Sequence, residues 1–475
     1  MSRTGSARAP AGARLLQRMH YPGARYAAFC LLIAFAFILG GGSRADIQSL
    51  VVLRPLSILF LAYPLIMSGG QPLDIARPIL CLLVALMALI GIQLIPLPPD
   101  LWRTLPGRDG IAEIGRHIGL TDLWRPLTLA PGRTLNSLFA LGVPFATLLW
   151  LGLIGRVPSR MLVWPILAAG AATALVSLLQ VIGPPTGPFY FYRITNNGVA
   201  VGLFANRNHN AAFLASLIPL IGYLAMYAEA RRPSNRTLIM AACASSLLFL
   251  IPMVLVTGSR SGALLTVVAL SATALPWWFA SRSNLVARSG TWGRIAPAVP
   301  LLLFATTAAL VYATWRLSRS LVFTRFSSGE LAEETRLQAL PYMIDMARDY
   351  FPAGAGFGVF DRAFQVIEPD GMLAPEYLNQ AHNDPLQFVI EGGVAGAAIL
   401  LVAIGWFLRA GWRSVGRFRQ SLTDGRGGAE FGILAWLALA ILLGASIVDY
   451  PLRVPALMCV ATILAVGLDR ASQPR

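Results

Sequence analysis

The sequence predicts an all-α integral membrane protein with about twelve membrane-spanning helices. Of its 475 residues, 56% are hydrophobic and 13% are charged, whereas soluble domains carry about 25% charged residues. Apolar runs recur along the whole chain, and each approaches the roughly 20 residues that a helix needs to cross a bilayer. Together these observations exclude a soluble globular protein.

Twelve apolar runs define a predicted membrane domain at 26–469, between a tail at 1–25 and a tail at 470–475. The first run follows an arginine-rich segment, and the stretch after it, Gly41–Ala45, is a poor cleavage site. We therefore expect an uncleaved signal anchor. The runs lie near 26–44, 47–68, 76–96, 135–154, 160–182, 210–228, 238–256, 263–281, 297–315, 385–408, 429–448 and 454–469.

The charge pattern predicts the orientation of the spans. All 38 basic residues are arginines, and the formal net charge is +16. Arginines dominate alternate connections, whereas the connections between those hold most of the Asp and Glu residues. By the positive-inside rule, both termini are cytoplasmic. The excess charge then attracts anionic membrane lipids, and it predicts no nucleic-acid partner because the arginines form no single soluble patch.

The four cysteines give no sign of a disulfide or a metal site. Cys30, Cys81, Cys243 and Cys459 all fall inside predicted spans, without metal-ligand spacing. The sequence also lacks a phosphate-cradling P-loop and the zinc motif H-E-x-x-H. We therefore expect neither a metal nor a cofactor.

Three outer loops are long enough to carry a site, near 97–134, 183–209 and 316–384. In the third and largest, Glu333–Arg336 opens a predicted helix, because acidic residues favour a first turn. That helix is predicted to end at Phe351–Gly358, which is rich in helix breakers. The aromatic and apolar content of this loop predicts that it packs on the bilayer surface and roofs a cavity.

His382 is the candidate general base. It is one of only four histidines, and it stands where the loop at 316–384 meets the next span. An imidazole at the mouth of a membrane cavity suits proton abstraction, because its ordinary pKa lies near neutral pH. The alternative is a loop histidine bonded to solvent.

Three arginines on the same outer side are candidate anion ligands. Arg260 lies in the tight turn Thr257–Gly262, where an arginine is costly unless it is paired, faces water or reaches the headgroups. Arg336 opens the predicted loop helix, with a solvated surface position as the alternative. Arg207 begins a span between two asparagines, which either cap the helix or bind sugar hydroxyls. Because guanidinium groups grip diphosphates, these arginines near a histidine indicate glycosyl transfer from a lipid-diphosphate sugar.

The order of these motifs resembles the O-antigen ligase and polymerase family of bacterial envelope glycosyltransferases. The resemblance covers about residues 202–451, over half of the chain. Its motifs occur in sequence and on one predicted side of the membrane: Gly202–Asn208, Thr257–Gly262, Arg336, Pro352–Gly358, Ala381–Asp384 and Glu391–Gly393.

The resemblance implies a GT-C-like fold with one large periplasmic loop, in the bacterial inner membrane. It implies a metal-independent, inverting glycosyltransferase whose donor is a glycan on undecaprenyl diphosphate. The acceptor would be lipid A core, a growing glycan or a protein hydroxyl. The short sequence after the final span disfavours the protein acceptor, and the late position of the large loop slightly favours lipid A core.

The resemblance also implies roles for individual residues. Arg260 and Arg336 would hold the diphosphate, Arg207 would contact the donor as well, and His382 would activate the acceptor hydroxyl. Asp384 would orient His382 or cap the next helix, and Glu391 would pair with an arginine. The supporting residues are therefore Asn383, Asp384 and Glu391.

A transporter or flippase of lipid-linked saccharides is the alternative function. Such proteins commonly show two related halves with interrupted helices in matching positions, and the sequence shows no such symmetry. Arg260, Arg336 and His382 also lie on one predicted face instead of near mid-bilayer. We expect these three side chains to line one cavity that opens outward beneath the loop at 316–384.

Overall fold

The computed structural model of the protein describes residues 22–44, 46–231, 234–282, 323–373, 378–424 and 428–473. The predicted span near 297–315, residues 1–21 of the predicted N-terminal tail and residues 474–475 of the predicted C-terminal tail lie outside the described residues. Within them, regular structure is almost entirely helical, which confirms the predicted all-α class.

Most helices follow one another as spans, and short elements fill the outer loops. Two short 3-10 turns, Asp370–Met372 and Pro451–Arg453, accompany them. In chain order the helices and strands are α1 Pro22–Leu39, α2 Ser49–Met67, α3 Arg77–Ile92, β1 Pro96–Leu97, α4 Pro99–Arg103, α5 Asp109–His117, β2 Arg125–Pro126, α6 Pro131–Ala140, α7 Gly142–Ile154, α8 Ser159–Ile182, α9 Arg207–Arg231, α10 Arg236–Val256, α11 Arg260–Arg282, α12 Phe323–Tyr350, α13 Phe360–Ile367, α14 Asp384–Asp424, α15 Glu430–Ala445 and α16 Pro455–Ser472.

The helices account for every predicted span that falls in the described ranges. There, eight helical segments are long and apolar enough to cross a membrane, and α1, α3 and α15 are shorter apolar helices. Each coincides with one of the predicted apolar runs. The polytopic membrane architecture is therefore confirmed.

Helix α9 lies at the centre of the bundle. In its most apolar stretch 89% of the residues are buried, and it contacts α8, α10, α11 and α15. A helix that is apolar on all sides is expected in such a position. Helix α11 packs closely against α9, since a Cβ at Gly262 would lie only 2.3 Å from the Cβ of Ala211. The N-terminal end of α9 is thus fixed beside the N-terminal end of α11.

Helix α14 is broken near its N-terminal end by Gly393, whose φ is 57°. At this break, backbone groups of α14 form hydrogen bonds with the third outer loop. The Val394 amide donates to Pro352 O at 2.9 Å, and the Ala355 amide donates to Ile390 O at 2.9 Å. A Cβ at Gly393 would lie 2.0 Å from Pro352 O, so only glycine permits this contact. The Pro352–Gly358 segment is therefore fixed to the start of α14.

The first and third outer loops pack against each other. Arg108 is fully buried and donates to Leu127 O at 2.6 Å and to Gly354 O at 2.9 Å. The Leu129 amide adds a bond to Ala355 O at 3.0 Å. In the third loop, α12 ends at Tyr350 as predicted, although it begins at Phe323, well before the predicted start.

Candidate active site

His382 has an unusual backbone conformation that aims its side chain into the protein. Its φ is 49°, and it is the one non-glycine residue with positive φ in the part of the chain that the structure describes. This conformation costs about 1–2 kcal/mol for an ordinary residue. The surrounding bonds maintain it: the Ala381 amide donates to Gln387 Oε1 at 2.8 Å, and the Asp384 amide donates to Ser446 O at 2.8 Å. Strain held in this way is typical of functional positions.

The carboxylate of Asp449 binds His382. Nδ1 of His382 lies 3.1 Å from Asp449 Oδ1, and both side chains are buried. Asn208 Nδ2 donates to Asp449 Oδ2 at 2.7 Å, and the Tyr450 amide donates to Oδ1 at 2.9 Å. With Nδ1 donating to this fixed carboxylate, the imidazole presents Nε2 as its proton acceptor. The sequence prediction did not include Asp449.

The electrostatic surroundings keep His382 neutral and Asp449 ionised near neutral pH. Burial lowers the pKa of His382, and Asp449 opposes that effect while the charge of Arg336 adds to it. Burial raises the pKa of Asp449, but the adjacent imidazoles of His382 and His209 outweigh burial and hold this pKa well below its usual value. A neutral imidazole oriented by a carboxylate is the arrangement that a general base requires.

A second imidazole, that of His209, shares the same carboxylate. His209 is buried on α9, and its Nε2 lies 3.4 Å from Asp449 Oδ1. The Tyr450 ring lies 4.8 Å from both imidazoles, edge-on to each. Burial raises the pKa of Tyr450 to about 12, so its hydroxyl stays protonated. The sequence prediction left His209 without a role, although α9 carries it into the site.

The arginines predicted from the sequence lie on two elements, Arg336 on α12 and Arg207 and Arg260 at the turn before α11. The charge of Arg336 on α12 lowers the pKa of both His382 and Tyr450. Arg207 lies at the turn that precedes α11, because a Cβ at Gly258 would be 3.5 Å from its Nη1. Arg260 begins α11 at the same turn and is exposed. The start of α9 therefore connects the Arg260 turn to Asp449, through Arg207 and Asn208.

The predicted supporting residues fix the structure around His382. The Asn383 side chain caps α14 by accepting a bond from the Leu386 amide at 3.0 Å, as N-cap residues do. Asp384 Oδ1 accepts a 2.7 Å bond from Arg453 Nε. The carboxylate that contacts His382 is thus Asp449, whereas Asp384 pairs with this arginine.

Glu391 is fully buried and has an arginine partner, as expected. Its Oε2 accepts from Arg453 Nη1 at 2.9 Å, and its Oε1 accepts from the Gly358 amide at 3.0 Å. The two carboxylates raise the pKa of Arg453 even though burial acts to lower it. This ionic group joins α14, the third outer loop and the turn before α16 into one framework around His382.

The side chains of the site offer cations and no metal cluster. Among the described residues, no group of three or more His, Cys, Asp or Glu side chains is arranged to hold a metal ion. Arginines near the imidazole pair are the groups available to bind a diphosphate.

A family comparison supports this interpretation of the site. Residues 245–401 match the family model described as O-antigen ligase, and no curated protein matches the chain by sequence. The matched stretch contains Arg260, Arg336, His382 and Glu391, while Asp449 lies outside it. It supports a glycan-transferring enzyme of the cell envelope, with lipid-linked glycan and acceptor substrates. The predicted resemblance to the O-antigen ligase and polymerase family is therefore confirmed over residues 245–401.

Proposed function

We propose that the protein transfers a glycan from undecaprenyl diphosphate to an acceptor hydroxyl at the periplasmic face of the bacterial inner membrane. The observation that carries this proposal is the buried His382–Asp449 pair, whose nitrogen and oxygen atoms are 3.1 Å apart. The pair lies at the predicted outer ends of α9, α14 and α16, and the charge of Arg336, one of the proposed diphosphate ligands, acts on His382. A general base activates the attacking hydroxyl, and fixed cations stabilise the diphosphate that leaves, so the two together suit glycosyl transfer.

The proposed reaction is a single displacement. Nε2 of His382 takes the proton of the acceptor hydroxyl while the oxygen forms a bond to the anomeric carbon of the donor. The bond from that carbon to the diphosphate oxygen breaks, and its electron pair leaves with undecaprenyl diphosphate. Attack from the face opposite the leaving group inverts the anomeric configuration.

In this reaction the arginines act on the leaving group. Arg260 and Arg336 bind the diphosphate oxygens, and Arg207 contacts the donor at the turn before α11. Fixed guanidinium groups stabilise negative charge as it develops, without reorganisation of solvent. The proton on His382 is then stabilised by the carboxylate of Asp449, which already accepts a bond from Nδ1.

Lipid A core and a growing glycan are the proposed acceptors. Either reaction needs one acceptor hydroxyl at the Nε2 side of His382, so the two share this site. The family description, O-antigen ligase, favours lipid A core. A flippase would need none of the pairing that orients His382 towards a reacting group.

Envelope-glycan profiling in a deletion strain tests the proposal. The strain is complemented with the wild type, Arg260→Ala, Arg336→Ala or His382→Ala at matched expression, with Arg193→Ala as the control. Arg193 lies on an outer loop and its side chain is 87% exposed. We expect only the wild type and the control to restore glycan attachment, and the other variants to accumulate periplasmic lipid-linked precursor. Long accumulated chains indicate a ligase and single units a polymerase. Precursor retained on the cytoplasmic face would instead identify a flippase and refute the proposal.

A further inference from the structure

The first outer loop presents apolar side chains outward, away from the protein. Helix α5 and the segment after it carry six exposed apolar residues within 14 positions, and we call these the apolar loop surface. Their exposed fractions range from 38% to 64%. The six residues are Ile111, Ile114, Ile118, Leu120, Leu123 and Trp124.

Helix α5 is amphipathic. Ile111, Ile114 and Ile118 follow one another at spacings of three and four, so they form one stripe on the helix. Glu113 and Arg116 are also exposed, and they fall on the opposite side. An apolar stripe opposed by charges is the pattern of a helix that lies in the plane of a membrane interface.

The apolar loop surface lies on a loop that is otherwise well packed. Trp102 is buried under the guanidinium group of Arg125, 5.1 Å from its ring, and its Nε1 donates to Pro126 O at 2.9 Å. Gly115, on the inner side of α5, lies beneath the same arginine. The loop has its own packed interior, and the apolar loop surface is not part of it.

The apolar loop surface follows the exposed apolar side of α3 along the chain. The exposed apolar residues of α3 follow helical spacing up to Ile92, and Ile95 is exposed just beyond the helix end. Strand β1 then pairs with β2 in the register Leu97 to Arg125. This pairing places Trp124 opposite Pro98, where the chain passes from β1 into α4. Tryptophan is enriched at this level of a bilayer, where its ring meets both apolar chains and polar headgroups.

From this continuity we propose that the apolar loop surface inserts into the outer leaflet of the membrane, with phospholipid acyl chains as its binding partner. The charged side of α5 then faces the aqueous compartment. Because Arg108 joins this loop to Gly354, membrane contact also sets the height of the third outer loop above the bilayer. The proposal concerns the lipid environment and holds whichever glycan the site transfers.

Photo-crosslinking of the wild-type protein tests the proposal without any substitution. The full chain is placed in nanodiscs of phosphatidylethanolamine and phosphatidylglycerol that contain a phospholipid with a diazirine in its acyl chain. After illumination and tryptic digestion, we expect lipid adducts on peptides 109–116 and 117–133. Peptide 349–362, in which residues 354–357 are buried, serves as the control and should carry none. Adducts confined to the membrane helices would overturn the proposal.

Spin labels provide a second measurement that separates lipid from protein partners. Ile114→Cys and Glu113→Cys are each labelled in a cysteine-free background, in the same nanodiscs. We expect the label at position 114 to be accessible to oxygen and shielded from a nickel chelate, and the label at position 113 to show the reverse. Equal access of the nickel chelate to both would show an aqueous surface. A label at position 114 that neither reagent reaches would show a protein partner, and either result rejects the membrane contact.

Discussion

Replacement of Asp449 by Asn is the most informative single perturbation of the proposed site. The carboxylate accepts bonds from His382 Nδ1 at 3.1 Å, from Asn208 Nδ2 at 2.7 Å and from the Tyr450 amide at 2.9 Å. An amide of the same size keeps the volume but removes the charge and one acceptor oxygen. The amide therefore no longer stabilises the positive charge that His382 gains when it takes up a proton.

The size of the effect follows from the lost interaction. A hydrogen bond to a charged group contributes about 1.5–3 kcal/mol, and about 1.4 kcal/mol corresponds to a tenfold change in rate. We therefore expect kcat to fall roughly 10- to 150-fold. Asp46→Asn is the matched control, because Asp46 forms an exposed ion pair with Arg44 in another outer loop. That variant should retain wild-type kcat.

The pH dependence separates orientation of His382 from mere loss of stability. Transfer needs neutral His382, so the rate falls as the pH decreases through the pKa of that residue, which burial places below its ordinary value. Asp449 raises this pKa, and its removal should therefore lower it further and move the acidic limb to lower pH. The assay is the pH profile of glycan transfer by purified protein in nanodiscs. An unchanged kcat, or a limb that moves to higher pH, would refute the proposed role of Asp449.

Three further predictions concern the arginines, the loop framework and the second imidazole. Arg260→Lys and Arg336→Lys keep the charge but lose bidentate geometry, so donor binding should weaken while the fold persists; unchanged donor affinity in a lipid-diphosphate binding assay argues against diphosphate contact. Gly354→Ala places a Cβ 2.5 Å from Glu391 O at a φ of 82°, which should cost about 1–3 kcal/mol and lower the melting temperature. Gly371→Ala, with open space around its Cβ, is its control, and equal melting temperatures would contradict the framework. His209→Phe should lower kcat with little change in KM, because it removes a partner of Asp449 and no substrate contact; a rise in KM alone would indicate substrate binding instead.

The membrane spans were predictable because the signal for a span is local. A run of about 20 apolar residues identifies itself whatever it later packs against. The break in α14 was not predicted, since the apolar run continues through Gly393. Its geometry depends on Pro352 O, which occupies the place of a side chain.

The site was predictable only in part, because its central pair forms through tertiary packing. His382 and the arginines stood out as polar residues on the predicted outer side. Asp449 lies 67 residues from His382 in the sequence, in a short connection between two spans, and nothing nearby indicates its partner. The signal that could have pointed to Asp449 itself is its position as an acidic residue in so short a connection on the predicted outer side. His209 fits the family pattern less firmly than the other candidates, so the sequence prediction assigned it no role.

The central claim is that His382 catalyses formation of a glycosidic bond, and transfer by reconstituted protein tests it most directly. Wild type and His382→Ala are each supplied with a defined undecaprenyl-diphosphate glycan and a lipid A core acceptor, and product and released lipid diphosphate are measured together. We expect the wild type to release one lipid diphosphate for each glycan transferred, with inverted anomeric configuration. We expect the variant to bind the donor but to be slower by about 10²- to 10⁴-fold, the usual contribution of a general base. Transfer at the wild-type rate by His382→Ala, or movement of the donor across the bilayer without a new glycosidic bond, would contradict the account.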